Sequence, residues 1–306
     1  MSSPRLDDSH PNRQAPSSMT VASAFRDLLA ALKSANLPTP DLDARLLVCE
    51  ACGVSHETFA ADPDRRLTPG EARRLSALAE RRLAREPVSR ILARRAFWRS
   101  EFGLGAETLD PRPDTETLVE CALEVVGGEP ALAGGPAILD LGTGTGCILL
   151  SLLAELPQAT GVGTDLSFGA LIVARRNAVR LGLDGRSRFV CADWLNGLSG
   201  RFDLIVANPP YIPSAAVERL TPEVALYEPR AALDGGLDGL DAYRSILPGM
   251  RRVLRPGGWL IFEVGEGQAD AVADLMAMQG FSPDAGGWQC RKDLAGIVRC
   301  VAARLT

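Results

Sequence analysis

The sequence predicts an α/β domain with a mostly parallel sheet, preceded by a small α-helical bundle. From residue 137 onward, short apolar runs alternate with amphipathic helical patterns. This alternation is typical of a parallel sheet that helices cover on both faces. Between residue 19 and about residue 86, by contrast, the apolar residues recur at helical spacing alone. The strand candidates are Ala137–Leu141, Thr160–Asp165, Ser187–Cys191, Phe202–Ala207, 259–264 and 297–303.

The composition is typical of a soluble globular protein with reduced thiols. Hydrophobic residues make up 46% and charged residues 23% of the 306 residues. The sequence contains neither an apolar run long enough to span a membrane nor the apolar core of a signal peptide. Seven cysteines, an odd number, argue against a disulfide framework, and the C-x-x-C pair Cys49 and Cys52 is interpreted as buried helix cysteines. We therefore expect a cytoplasmic protein without membrane contact or a metal site.

The N-terminal third divides into a tail, a bundle and a linker. Residues 1–18 are polar and rich in Ser and Pro, so we expect a disordered tail, with Met19 as an alternative start. Residues 19–96 form the predicted bundle, in which a capping box, Thr68 with Glu71, opens the last long helix. Residues 97–113 are expected to be a linker with a hairpin, and residues 114–306 the α/β domain. Asp114 or Thr115 is expected to cap the helix that follows.

Charge is distributed unevenly along the chain. Residues 1–100 have a net charge of +4 and residues 101–306 a net charge of −9. An acidic α/β domain is poorly suited to binding a phosphate backbone. Eleven arginines lie between residues 65 and 99. The simplest interpretation is a solvated helix face, and the alternative is a docking surface for an acidic protein or RNA.

A glycine-rich turn follows the first predicted strand. Its sequence, D-L-G-T-G-T-G, lets the backbone approach a ligand closely, and the helix that follows offers free N–H groups. Cys147 stands where a dinucleotide-binding motif requires its third glycine, which disfavours NAD. Asp140 would suit a ligand that carries an ammonium and a sulfonium group. The predicted cofactor-binding residues of this segment are Asp140, Gly142, Thr143, Gly144, Thr145 and Gly146.

The next two predicted strands end in residues of the same site. Asp165 ends the second strand, where an acid can accept hydrogen bonds from both ribose hydroxyls of a nucleoside. Asp193 and Trp194 follow the third strand and are placed to hydrogen-bond and stack on adenine. These three residues complete a predicted nucleoside site at the carboxyl ends of the strands.

The fourth predicted strand runs directly into Asn208-Pro209-Pro210-Tyr211. The two prolines remove two backbone donors and hold the chain extended. The Asn208 side-chain oxygen and the Pro209 carbonyl would then accept hydrogen bonds from an NH₂ group and direct its lone pair at a methyl group. Tyr211 would pack flat on the planar substrate group. These four residues are the predicted catalytic residues, and Asn208 is also predicted to contact the cofactor.

These motifs carry a family resemblance. D-L-G-T-G-T-G with N-P-P-Y resembles the class I amino-methyltransferases, which act on DNA adenine or protein glutamine. Four further segments resemble the release factor glutamine methyltransferases of the HemK/PrmC type. They are P-V-S-R-I-L at residues 87–92, P-R-P-D-T-E at 111–116, E-P-R-A-A-L-D-G-G at 228–236 and D-L-A-G at 293–296. The resemblance covers residues 19–306.

The resemblance implies a class I methyltransferase Rossmann-like fold, with a mostly parallel seven-stranded sheet and an N-terminal helical domain that docks the substrate. It also implies methyl transfer from S-adenosylmethionine, which leaves S-adenosylhomocysteine, to N5 of the glutamine in the Gly-Gly-Gln motif of class I peptide chain release factors. By position, the family's cofactor contacts fall on the glycine turn, Asp165, Trp194 and Asn208. The chain departs from the family at Ala93, usually glycine, and at residues 99–101, which lack a glycine.

Three alternatives remain at this point. A glutamine methyltransferase acting on a ribosomal protein would share the same core motifs. A DNA adenine-N6 methyltransferase would need a basic segment for reading sequence around a flipped base, and about 95 residues follow Tyr211. An inactive adaptor would be expected to lose Asp165, the glycine turn or Asn208. We therefore expect a release factor as the protein partner and no direct binding of DNA.

Overall fold

The computed structural model describes residues 19–283 and 289–306, and the chain divides into two compact units, Met1–Leu92 and Ala93–Thr306. The predicted tail, residues 1–18, lies outside the described residues. The sequence places the end of the helical domain at residue 96 and a linker at 97–113. In the structure, residues from Ala93 onward belong to the second unit.

The first unit is a helical bundle. Its fourth helix, Pro69–Leu83, begins with the predicted capping box. Thr68 Oγ1 accepts from Glu71 N at 3.2 Å, and Glu71 Oε2 accepts from Thr68 N at 2.8 Å. Cys49 and Cys52 are buried in α2 as free thiols. The core contains Leu28, Leu32, Leu47, Val48 and Leu75. The helices are α1 (Val21–Ser34), α2 (Pro40–Cys52), α3 (His56–Ala61), α4 (Pro69–Leu83) and α5 (Val88–Leu92).

The second unit opens with a hairpin of β1 (Arg94–Phe97) and β2 (Ser100–Gly103). Phe97 and Phe102 are buried in the core of this unit, with ring centroids 6.1 Å apart. The segment that the sequence suggests as a linker therefore contributes to the core. Ala93, which replaces the family's glycine, adopts a left-handed backbone with φ of 54°. This conformation costs an alanine about 1 kcal/mol.

The main sheet contains eight strands in the described part of the chain. They are β3 (Ala137–Leu141), β4 (Thr160–Asp165), β5 (Ser187–Cys191), β6 (Phe202–Ala207), β7 (Leu254–Glu263), β8 (Phe281–Ser282), β9 (Gln289–Lys292) and β10 (Val298–Leu305). The order is β5-β4-β3-β6-β7-β10, and β8 and β9 both pair with the outer edge of β10. Strands β3 to β7 are parallel, and β10 is antiparallel to β7. The sheet thus has seven positions, and two short strands share the seventh.

Helices cover both faces of the sheet. Ile138 and Leu139 are neighbours in β3 but belong to different apolar clusters, because successive side chains of a strand point to opposite faces. The cluster around Ile138 includes residues of the helices Glu116–Gly128 and Cys147–Glu155. The cluster around Leu139 includes residues of three later helices, Asp241–Ile246, Met250–Val253 and Ala269–Met278. The helices are α6 (Glu116–Gly128), α7 (Cys147–Glu155), α8 (Phe168–Arg180), α9 (Ser214–Val217), α10 (Pro222–Ala225), α11 (Asp241–Ile246), α12 (Met250–Val253) and α13 (Ala269–Met278).

The connections reverse direction beside β3. From β3 the chain adds β4 and β5 on one side, and it then crosses back to add β6 and β7 on the other. In open parallel sheets such a reversal leaves a crevice at the carboxyl ends of the strands, where ligands bind. Among residues 19–283 and 289–306, none of the helices combines the length and apolarity needed to cross a membrane.

Candidate active site

A cavity of about 430 Å³ opens at the carboxyl ends of β3 to β6. Its volume is in the range of small-molecule sites. The structure brings nine of the predicted site residues into the cavity wall: Gly142, Thr143, Gly144, Thr145, Asp165, Asp193, Trp194, Asn208 and Pro210. Four others, Asp140, Gly146, Pro209 and Tyr211, are not part of the wall.

The glycine turn has the backbone conformation that its sequence requires. Gly142, Gly144 and Gly146 have φ values of 71°, 54° and 80°, a region in which a side chain is strained. The turn is attached to β4, because Thr143 N donates to the Thr164 carbonyl at 2.8 Å. It leads directly into α7, so the first amides of that helix lie next to the cavity.

Asp140 lies fully buried at the end of β3, beneath the turn. Its Oδ2 accepts a hydrogen bond from Thr143 Oγ1 at 2.6 Å, and its Oδ1 has no hydrogen-bond partner among the described residues. Burial raises the pKa of this carboxyl to about 7; the Thr143 hydroxyl opposes the shift and the Asp165 carboxylate adds to it. A cationic donor reaching Oδ1 would stabilise the charged form.

Asp165 is held in a fixed orientation at the end of β4. Its Oδ2 accepts from Gly144 N at 2.9 Å and its Oδ1 from Ser167 N at 2.8 Å. Burial raises the pKa of Asp165, and these two backbone groups oppose the shift. Each oxygen retains a second lone pair for a ligand hydroxyl. Glu107, which is not among the predicted site residues, also lies in the cavity wall and accepts a hydrogen bond from Ser167 Oγ.

Trp194 packs against the glycine turn. Its ring carbon Cζ3 lies 3.5 Å from the position that a Cβ on Gly142 would occupy. Trp194 also has a positive φ of 50°, an uncommon conformation for a bulky residue. The neighbouring Asp193 is exposed in the cavity wall and its Oδ2 accepts from Asn196 Nδ2 at 3.3 Å.

Asn208 is oriented by Thr115, a residue 93 positions earlier in the chain. Asn208 Nδ2 donates to Thr115 Oγ1 at 3.1 Å. This contact occupies the NH₂ end of the side chain and leaves the carbonyl oxygen Oδ1 for a donor from a substrate. Thr115 is buried and lines the cavity. Thr115 precedes α6, but its side chain makes no capping hydrogen bond, so the expected cap is absent. Its hydroxyl oxygen accepts the hydrogen bond from Asn208 instead.

Tyr211 is held by Gln268, and Ile212, the residue that follows the tetrapeptide, is held by the segment at residues 228–236. Ile212 N donates to the Leu233 carbonyl at 3.0 Å, and Gly235 N donates back to the Ile212 carbonyl at 2.9 Å. A Cβ on Gly235 would lie 2.7 Å from the Pro210 carbonyl oxygen and 2.9 Å from the backbone of Gly239, so a larger residue would force the tetrapeptide or the segment that supports it to move. Gln268 Nε2 donates to the Tyr211 carbonyl at 3.0 Å.

Glu263 is a buried acid next to the tetrapeptide. It ends β7, is 1% exposed, and its Oε1 lies 3.4 Å from the Tyr211 hydroxyl. Burial raises the pKa of Glu263 to about 7, and the Thr115 hydroxyl is the largest of the influences that oppose the shift. Burial, followed by the Glu263 charge, raises the pKa of Tyr211. Glu263 is not among the predicted site residues, although an acid within the apolar run at 259–264 is a visible signal in the sequence.

Arg299 joins two of the segments that carry the family resemblance. Its guanidinium forms ion pairs with Asp114 at 2.9 Å and with Asp293 at 2.8 Å. Asp293 in turn accepts from the backbone N–H groups of Ala295 and Ile297. The D-L-A-G segment thus forms a turn that holds Arg299 against the residue preceding Thr115. In the described residues, we find no group of three or more His, Cys, Asp or Glu side chains arranged to hold a metal.

Comparison with known proteins covers both units. Residues 23–92 match the family model of the PrmC N-terminal domain, and residues 129–236 match that of the methyltransferase small domain. The chain is 52% identical over 273 residues to a release factor glutamine methyltransferase of Rhodospirillum rubrum, covering 89% of this chain and 81% of the relative. It is 50% identical over 285 residues to a protein of the same name from Bradyrhizobium diazoefficiens, covering 93% and 95%.

A solved structure is also similar. It is a ribosomal protein L11 methylase from Lactobacillus delbrueckii subsp. bulgaricus, with a TM-score of 0.45 and 22% sequence identity. The similarity covers 64% of this chain and 81% of that chain. A similarity of this size does not bear on the substrate.

Proposed function

The chain belongs to the release factor glutamine methyltransferase family, and we propose that it methylates N5 of the glutamine in the Gly-Gly-Gln motif of class I peptide chain release factors. It is an enzyme, since its relatives are glutamine methyltransferases and it contains a methyltransferase domain. We infer that this methylation modulates translation termination and that the reaction takes place in the cytoplasm. The comparisons do not favour a ribosomal protein or DNA adenine as the substrate.

The proposed methyl donor is S-adenosylmethionine, and four features of the cavity and of the residues beneath it fit this donor. Asp140 Oδ1 is a buried acceptor that lacks a partner among the described residues, as an ammonium group requires. Asp165 offers both carboxylate oxygens for ribose hydroxyls, and Trp194 offers an aromatic ring for adenine. The glycine turn allows the ligand to approach the backbone closely. When bound, S-adenosylmethionine supplies a methyl group on a positively charged sulfur.

The observation that carries the proposal is the orientation of Asn208. An amide nitrogen is a poor nucleophile because its lone pair is delocalised into the carbonyl group. With Nδ2 held by Thr115, Asn208 Oδ1 can accept one substrate N–H, and we assign the second to the Pro209 carbonyl. The two hydrogen bonds orient the nitrogen lone pair and stabilise the positive charge that develops on it. The methylated nitrogen then loses a proton readily, so no general base is required before attack.

The experiment is to incubate the protein with labelled S-adenosylmethionine and either purified class I release factors or purified ribosomal proteins. Mass spectrometry then locates the modified residue. We expect a single methyl group on the glutamine of the Gly-Gly-Gln motif. A release factor with asparagine in place of that glutamine is the matched control and should remain unlabelled. Label on a ribosomal protein, a lysine or a nucleic-acid base would contradict the proposal.

A further inference from the structure

The side chain of Gln268 joins the turn that follows β7 to the tetrapeptide at residues 208–211. Its Oε1 accepts a hydrogen bond from Gly265 N at 3.0 Å, and its Nε2 donates to the Tyr211 carbonyl at 3.0 Å. A backbone N–H can only donate and a carbonyl can only accept, so the two partners fix which end of the amide faces which. The Gln268 amide therefore has one orientation, with its donor on Tyr211.

Two glycines leave room for this side chain. A Cβ on Gly265 would lie 2.7 Å from Gln268 Oε1 and 3.1 Å from Tyr211 Cδ2. A Cβ on Gly239 would overlap both the Tyr211 carbonyl oxygen and Gln268 Nε2. A larger residue at either position would thus force its neighbours to move. The hydrogen bond from Gln268 to Tyr211 is packed against two glycine backbones.

The start of α13 does not account for this arrangement. Gln268 immediately precedes α13, the position from which a side chain can cap a helix, but its side chain makes no capping hydrogen bond. A glutamine is also not among the residues preferred at that position. Both ends of its amide are engaged outside the helix. The side chain connects the turn to Tyr211 rather than serving α13.

The tetrapeptide offers few backbone groups by which it can be held. Its two prolines have no N–H, so contacts with this stretch depend largely on carbonyls and side chains. At its first residue, the Asn208 side chain donates to Thr115. At its last residue, the Tyr211 carbonyl accepts from Gln268. The two ends of the tetrapeptide are thus held by side chains from distant parts of the chain.

We propose that Gln268 is a positioning residue for methyl transfer, acting on the substrate through Tyr211. The proposal rests on the proposed function, because it gives Tyr211 and Asn208 the task of holding a substrate amide. Without a donor on its carbonyl, the backbone of Tyr211 is free to turn, and the ring that packs on the amide moves with it. Misplacing an orienting group by about 1 Å costs up to about a hundredfold in rate.

The test compares Gln268→Met with Gln268→Glu in the labelled release factor assay. Gln268→Met removes both hydrogen bonds at similar volume, and we expect kcat to fall about tenfold. Gln268→Glu keeps an acceptor for Gly265 N. At about pH 8 its carboxylate places an oxygen against the Tyr211 carbonyl, where the donor was. We therefore expect kcat to fall at least as far as in Gln268→Met, whereas a residue that served only the turn would be rescued by glutamate.

Two further measurements separate positioning from general damage. The KM for S-adenosylmethionine and the dissociation constant of S-adenosylhomocysteine, measured by calorimetry, should change by less than about twofold in both variants. The matched control is Glu266→Gln, a change at an exposed residue of the same turn, and its kcat should stay within about twofold of wild type. If Gln268→Met does not fold, Gln268→Glu, which keeps the bond to Gly265, still tests the proposal.

A substitution on the opposite side of the same hydrogen bond provides a second approach. In Gly239→Ala the new methyl group would overlap the Tyr211 carbonyl oxygen and Gln268 Nε2, so this hydrogen bond cannot persist unchanged. We expect a loss of kcat of about tenfold or more. The double variant Gln268→Met/Gly239→Ala should be no more than about twofold slower than the slower single variant, because both changes break one contact.

Four results would overturn the proposal: wild-type kcat in Gln268→Met, wild-type kcat in Gln268→Glu, a KM for S-adenosylmethionine that rises as much as kcat falls, or multiplicative losses in the double variant. Failure of the proposed function gives a different result. In that case the wild-type protein itself leaves the release factor unlabelled in the same assay.

Discussion

The candidate site has two halves that are built in different ways. The cofactor half contains Asp140, the glycine turn, Asp165 and Trp194, and the amide half contains Asn208 to Tyr211 and the residues that hold them. In the cofactor half, the hydrogen bonds that hold the site residues join positions close in sequence: Thr143 to Asp140, three residues apart, and Gly144 to Asp165, 21 apart. In the amide half the separations are 93 residues for Asn208 to Thr115, and 57 and 52 for the contacts of Tyr211 with Gln268 and Glu263. The cofactor half belongs to a few consecutive strands, and the amide half depends on the folding of the whole second unit.

This difference implies that a substitution in one half of the site leaves the other half intact. Damage to the cofactor half should appear in the affinity for S-adenosylmethionine. Damage to the amide half should appear in kcat, because its contacts gain importance as charge develops on the substrate nitrogen. A substitution that changed both kcat and the affinity for S-adenosylmethionine by the same factor would show that the two halves do not act separately.

The largest effect is expected from Asn208→Ala. Loss of the oriented Oδ1 should lower kcat about 10²-fold to 10³-fold, as removal of one group that stabilises developing charge typically does. Calorimetry with S-adenosylhomocysteine should show a dissociation constant within about threefold of wild type. Asn208 is also a predicted cofactor contact, so a parallel loss of cofactor affinity would contradict the separation of the two halves.

Asp165→Asn is expected to weaken the binding of S-adenosylmethionine and to leave kcat nearly unchanged, the opposite of Asn208→Ala. The substitution removes the charge that two backbone N–H groups and the proposed ribose hydroxyls share. A charge-assisted hydrogen bond contributes about 1.5–3 kcal/mol, so the KM for S-adenosylmethionine should rise about 10-fold to 100-fold. At saturating cofactor, kcat should stay within about threefold of wild type. A large loss of kcat at saturation would place Asp165 in the transfer step as well.

The same difference separates what the sequence predicts from what it does not. Strands β3 to β6 have the bounds that the sequence predicts. The prediction for β7 started at Trp259, but the strand starts at Leu254 and continues through Pro256 and Gly257, which usually mark a turn. The seventh strand position is shared by two short pieces, and their sequence has no clear strand pattern.

The residues that hold the amide half could not be predicted from the sequence for a different reason. Thr115 has the sequence context of a helix cap, and nothing within one sequence pairs it with Asn208. Glu263 is visible as an acid in an apolar run, but its contact with Tyr211 joins positions 52 residues apart. The family resemblance identified segments 111–116 and 228–236 as meaningful without saying which contacts they make.

A smaller effect tests whether the amide half needs its distant support. In Gly235→Ala the new methyl group would lie 2.7 Å from the Pro210 carbonyl, so the tetrapeptide or its support has to move. We expect kcat to fall about tenfold with an unchanged KM for S-adenosylmethionine. Gly185→Ala is the matched control, because a Cβ there meets no atom within 4 Å. Equal activity of the two variants would show that close packing on Pro210 is not required.

The smallest effect refines the account of the cofactor half and comes from pH. Burial raises the pKa of Asp140 to about 7, so below that pH the carboxyl is mostly neutral and cannot pair with an ammonium group. Affinity for S-adenosylhomocysteine, measured by calorimetry, should therefore rise about fivefold from pH 6 to pH 7 as the ionised fraction grows. Asp140→Asn should bind more weakly at pH 7 and lose this dependence. If Asp140→Asn kept the same pH dependence, the titrating group would be another one, such as Asp165, whose pKa burial also raises. The ammonium contact would then have to be assigned to another residue.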